Sequence, residues 1–155
     1  MDLLSTSPRS VDLDIDADGA YAFLTDLEFL PEWYPGMAGV KDVPDHDVAS
    51  GDHFVERRHL GPGVNVEIEL EVTAAEEARR FRVVNTNRSV MAIEAEYRLV
   101  ELGQGRTRVT LLHDVRPART PFAPLGVAVN AMLARADRKQ LDAMPDGLER
   151  WRATQ

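Results

Sequence analysis

The chain has 155 residues, 44% hydrophobic and 28% charged, the balance of a globular domain with a real core and not of a disordered segment. Asp and Glu number 26 against 18 Lys and Arg, a formal charge of −8, which disfavours binding along nucleic-acid phosphates or on an anionic membrane. There is no cysteine, which excludes disulfides, thiol nucleophiles, iron–sulfur ligation and cysteine-based zinc sites.

Met1-Asp2-Leu3-Leu4-Ser5 lacks a basic stretch followed by an apolar run, so no signal peptide is expected. No window approaches the ~20 apolar residues of a transmembrane segment. A cytoplasmic location follows as the default. No repeat, low-complexity tract or linker divides residues 1–155, which read as a single domain.

In chain order, Ser10–Asp16 alternates Val11, Leu13 and Ile15 with three aspartates, the period of a half-buried strand. Ala17–Asp26 reads as a short helix, and Leu27–Tyr34 as a second helix or turn that Pro35-Gly36 stops. From Met37 to Arg116 the pattern is mostly strands. If Gly61-Pro62-Gly63 is a three-residue hairpin loop, Leu60 pairs with Val64, and Phe54, Glu56 and Arg58 share a face with Val66, Ile68 and Leu70. Arg57 and Glu67 then meet on the other face. With Asn87-Arg88-Ser89 as the next loop, Phe81 faces Ala95, Val83 faces Ile93 and Asn85 faces Met91. The opposite face pairs Arg82 with Glu94 and Arg80 with Glu96. A last strand, Thr107–Val115, follows a turn at Gly103-Gln104-Gly105 and turns Val109, Leu111, His113 and Val115 to one side.

The stretch Pro121–Trp151 is the longest helical candidate. Leu125, Val129, Met132, Leu133, Ala136, Leu141, Met144, Leu148 and Trp151 form its apolar stripe. Pro145 and Gly147 predict a kink or break between Leu141 and Leu148. The expected fold is α+β: a curved antiparallel sheet of about seven strands gripping a long C-terminal helix, with two short helices after the first strand.

This order, with Leu24-Thr25-Asp26 leading into Pro31-Glu32-Trp33-Tyr34-Pro35-Gly36, resembles the polyketide cyclase, coenzyme-Q-binding and START-like superfamily, also termed SRPBCC or helix-grip. The resemblance spans nearly the whole chain and implies a cavity between sheet and helix. Two departures narrow it. Ala49-Ser50-Gly51-Asp52 does not match the glycine-rich loop of the pollen-allergen branch, and the oxygenase branch needs cysteine ligands that are absent here.

The register places five polar residues on the apolar face: Glu56, Arg58, Asn85, Tyr97 and His113. A buried charge is costly unless paired, so Glu56 and Arg58 are expected to neighbour each other or a ligand's polar end, or a register slip leaves both wet. Replacing Arg58 with Met is expected to cost little stability. His113 is the candidate catalytic residue, a general acid or base among cavity-lining aliphatics, against a core histidine bonded to a carbonyl. Trp33 and Tyr34 are ligand-binding candidates at one end of the cavity that the resemblance implies, or simply core. His46, His53, His59 and His113 have no metal-ligand spacing, and no metal or cofactor is expected.

Three functions fit. The first is binding or carrying a small apolar or amphipathic molecule such as a lipid, isoprenoid or polyketide-like compound. The second is a polyketide aromatase/cyclase-type enzyme catalysing cyclisation or dehydration, with His113, Arg58 or Tyr97 moving protons. The third is a protein-interaction module whose cavity is filled by side chains. Association as a homodimer stays open; nucleic acid is not an expected partner.

Overall fold

The computed structural model describes residues 7–89, 91–117 and 126–155. The alternating N-terminal segment forms β1 (Arg9–Leu13), with Leu13 buried and Asp12 turned outward to Arg108. Asp16 caps α1 (Ala17–Thr25): its carboxylate accepts a 2.9 Å hydrogen bond from the Gly19 amide, satisfying one of the first-turn N–H groups. A 3-10 turn over Leu27–Phe29 runs into the one-turn helix α2 (Leu30–Trp33). Pro31 sits at its start, where a missing N–H costs nothing. The chain leaves through Gly36 at φ +80°, a left-handed conformation that glycine adopts without strain.

Six strands follow: β2 (Met37–Lys41), β3 (His53–Gly61), β4 (Val64–Glu76), β5 (Arg80–Asn85), β6 (Met91–Gly103) and β7 (Arg106–Pro117). Helix α3 (Gly126–Arg152) ends the fold. All seven strands make one curved antiparallel sheet in the order β1-β7-β6-β5-β4-β3-β2, so β1 closes the far edge of a six-strand meander. Bulges between Met37 and Gly39 and between Val72 and Ala74 bend the sheet. Its inner face buries Phe54, Leu70, Val72, Phe81, Val83, Leu99, Val109 and Leu111 in one core with Leu141, Met144, Leu148 and Trp151 of α3.

The β3–β4 register matches expectation over its length, with Phe54 opposite Leu70, Arg57 opposite Glu67 and Arg58 opposite Val66. Only the tip differs. Gly61, not Leu60, faces Val64, because the turn is the two residues Pro62-Gly63 and the register shifts after His59. The β5–β6 register is displaced by two residues: Phe81 faces Tyr97 and Val83 faces Ala95. Pairing stops at Val84–Glu94, because the Asn85 side chain replaces the next rung. It accepts from the Ile93 amide and donates to the Asn87 and Met91 carbonyls, each at 2.8 Å. A shift of two preserves parity, so every side chain keeps its face. The ion pairs Arg82–Glu94 at 2.7 Å and Arg80–Glu96 at 3.3 Å still form, as diagonal rather than direct neighbours.

Of the kink or break expected between Leu141 and Leu148, the break does not occur, for α3 runs through Pro145 without interruption. Pro145 and its neighbour Asp146 are exposed, so the ring stands in solvent. Gly147 is buried, and a Cβ there would lie 2.5 Å from the Cβ of Trp33. The glycine therefore lets α3 approach α2 and is no breaker. Within the stripe Ala136 is exposed, and Asp137 and Gln140 are buried in its place. Leu125 and the side chains of Val129, Met132 and Leu133 lie outside the described residues.

Candidate functional site

The inner face of the sheet, α2 and α3 enclose a mostly apolar cavity. Its walls include Leu24, Leu30, Phe54, Ile68, Phe81 and Leu111. The space between the side chains totals about 660 Å³ with its open mouth, but only about 60 Å³ is wide enough for the centre of a water molecule. That admits a few waters and falls short of the ~300–1,000 Å³ of typical ligand pockets. A wider groove of about 730 Å³, bordered by Asp26, Glu28, Asp45, Asp47, Glu77 and Trp151, is open to solvent and acidic.

Polar groups from four elements reach the cavity. Glu56 and Arg58 are two residues apart on β3 and therefore on one face. Arg58 Nε donates to Glu56 Oε2 at 2.9 Å, and its Nη2 donates to the Tyr34 hydroxyl at 3.0 Å, with the guanidinium carbon 4.3 Å from the Tyr34 ring centre. Glu56 is buried and Arg58 partly so, with side-chain exposures of 8% and 25%. Burial works against the charge of Arg58, but Tyr34 and Glu56 outweigh it and the guanidinium holds its proton more tightly than a free one. Burial likewise pushes the phenols of Tyr34 and Tyr97 upward, so both stay protonated. Because Glu56 depends on Arg58 for its charge partner, removing Arg58 alone leaves a buried carboxylate uncompensated, contrary to the small cost expected from sequence.

From β7, His113 Nδ1 lies 2.8 Å from Oδ1 of Asp137 on α3, whose side chain is 3% exposed. With a carboxylate as acceptor, Nδ1 is the nitrogen that donates in this pair. One turn further along α3, Gln140 hydrogen-bonds the Tyr97 hydroxyl. The structure thus brings Trp33, Tyr34, Glu56, Arg58, Tyr97 and His113 to one cavity. It does not bring Asn85 there, since that amide is spent on the β5–β6 loop. Asp137 and Gln140 escaped the sequence reading, although both sit at stripe positions four residues before Leu141 and Met144. Among the described residues no cluster of three His, Asp or Glu is placed to hold a metal, and no helix is long and apolar enough to cross a membrane.

Solved structures share this fold. A START superfamily protein from Mycobacterium smegmatis is 16% identical at a TM-score of 0.72, over 93% of this chain and 99% of that one. The Zhui aromatase/cyclase from Streptomyces sp. R1128 is 20% identical at 0.68, over 93% of each chain. Norcoclaurine synthase from Thalictrum flavum, in complex with dopamine and hydroxybenzaldehyde, is 10% identical at 0.64, over 99% and 90%. No curated protein sequence matches the chain. The family profile described as polyketide cyclase / dehydrase and lipid transport matches residues 6–149, nearly the whole length, and supports a role in hydrophobic-ligand binding or cyclisation. The chain belongs to that polyketide cyclase / dehydrase and lipid transport family.

Proposed function

We propose that the protein binds a small, mostly apolar molecule in this cavity and holds an acidic or carbonyl end of it with Arg58. The observation that carries the reading is a charged guanidinium among apolar walls, kept ionised by Glu56 and steadied by Tyr34. Such a cation is costly to bury, and a ligand oxygen offers it an added charge-assisted bond. Entry requires wall side chains to move, because the free space is about 60 Å³.

A second reading, acid–base chemistry on the bound molecule, is favoured by the His113–Asp137 pair. An imidazole oriented by a carboxylate is a group that can move protons while Tyr97 or Arg58 steadies a developing oxyanion, as cyclisation or dehydration needs. The aromatase/cyclase and the norcoclaurine synthase show that the fold hosts enzymes. A third reading, an interaction module with a filled interior, draws on the small free volume.

Native mass spectrometry of the purified protein should find a co-purifying small molecule. A Glu56→Leu/Arg58→Met double variant, which removes the pair without stranding a charge, should bind it roughly ten- to a hundredfold more weakly. Equal binding would remove Arg58 as the anchor, and no bound or bindable molecule would favour the interaction module. His113→Gln should leave binding nearly unchanged, and a loss of roughly two to four orders of magnitude in turnover would single out the enzyme.

A further inference from the structure

The indole N–H of Trp33 is buried and finds no hydrogen-bond partner among the described residues. The residue is 4% exposed, so solvent does not serve it. Such a donor is uncommon, because leaving an N–H unpaired away from water costs as much as a lost hydrogen bond. The other tryptophan shows the usual arrangement: Trp151 Nε1 donates to Asp26 Oδ2 at 2.9 Å.

Packing accounts for the position of the Trp33 ring but not for its orphan donor. Its Cβ and Cγ press on the Gly147 backbone, and Phe23 lies beside it at 5.1 Å between ring centres. A phenylalanine or leucine could fill that contact without carrying a polar group inward. Trp33 also forms part of the cavity wall, next to Tyr34, the acceptor of the Arg58 bond. Tyr34 accepts from Arg58, so its own hydroxyl hydrogen is a further donor there.

We infer that Trp33 is a specificity-determining residue whose indole N–H donates to a second, neutral oxygen of the bound molecule, a carbonyl, distinct from the oxygen that Arg58 holds. This rests on the cavity reading above. The ligand class is then an apolar molecule with two separated oxygen acceptors, in preference to a simple fatty acid with one polar end.

The test compares dodecanoic acid with the series of its mono-oxo derivatives, which scans the separation between carboxylate and ketone. Calorimetry on the intact 155-residue chain reads affinity. Because the chain has two tryptophans, a ¹⁵N-labelled sample gives two indole signals, and Trp33→Phe identifies one of them. At least one oxo acid should bind roughly five- to thirtyfold more tightly than dodecanoic acid and move the Trp33 N–H signal downfield. In Trp33→Phe the ratio of oxo-acid to dodecanoic-acid affinity should fall to about one, whatever the change does to the binding of both. Should the variant fail to fold, Trp151→Phe assigns the two signals instead, and the wild-type Trp33 signal decides. If no oxo acid gains affinity and the Trp33 signal stays in place, the inference is wrong, and the cavity reading survives on the binding of dodecanoic acid. If none of the acids binds, both are wrong.

Discussion

Arg58→Met exposes how the cavity is held together. The guanidinium gives Glu56 its charged partner, with Nε 2.9 Å and Nη2 2.8 Å from Oε2. Methionine keeps much of the length but none of the charge, leaving a carboxylate with 8% exposure uncompensated. Breaking a buried pair on one side costs about 3–5 kcal/mol, and the low end applies because Arg58 is itself 25% exposed. At about 3 kcal/mol the melting temperature of a domain this size should fall by roughly 6–12 °C. Removing both charges, Glu56→Leu with Arg58→Met, should restore stability to within about 1 kcal/mol of the parent. Urea unfolding followed by tryptophan fluorescence at pH 7 measures both variants. A single variant that loses under about 1 kcal/mol, or a double variant as unstable as the single, would refute the pairing argument.

Two neighbouring positions on α3 should respond with opposite signs. Pro145→Ala, on the exposed face, should stabilise by about 1–3 kcal/mol because proline is the poorest interior helix residue. Gly147→Ala should destabilise by about 1–3 kcal/mol despite alanine's better propensity, since its Cβ would meet Trp33 Cβ at 2.5 Å; thermal melts of both check the pair. His46, hydrogen-bonded to Asp45 and to Asp52, should titrate above 6.5 in an NMR pH series, and Asp52→Asn should bring it down. The sign follows from a raised folded-state pKa: the contribution is present below pH 6.5 and lost as pH rises through the folded value.

The sheet was legible because parity survives errors in register. The β5–β6 hairpin is two residues away from the expected pairing, yet Phe81 and Val83 still face inward and Arg82 still finds Glu94. What set the true register was a side chain acting as backbone, Asn85 bonding Ile93, Asn87 and Met91, and no hydrophobic pattern encodes that substitution. The helix break was misread for a related reason. Proline and glycine were weighed as local punctuation, whereas tertiary packing decides both: Pro145 faces water, and Gly147 gives Trp33 room.

The site was half legible, and the missing half has one physical cause. Glu56, Arg58, Tyr97 and His113 stood out as polar residues on strand faces otherwise apolar, because a period of two makes each exception visible. The missed partners, Asp137 of His113 and Gln140 of Tyr97, lie 24 and 43 residues away in sequence, on α3. On α3 the apolar stripe was traced by selecting apolar residues, and that selection discards the polar ones a site requires. Asp137, Gln140, Met144, Leu148 and Trp151 advance by three or four, so helical phase alone puts the carboxylate and the amide on the inward face. The exposed Ala136, one residue from Asp137, marks the edge of that face. A buried carboxylate in an otherwise apolar stripe demands a partner, and His113 is the strand residue whose parity turns it inward to supply one.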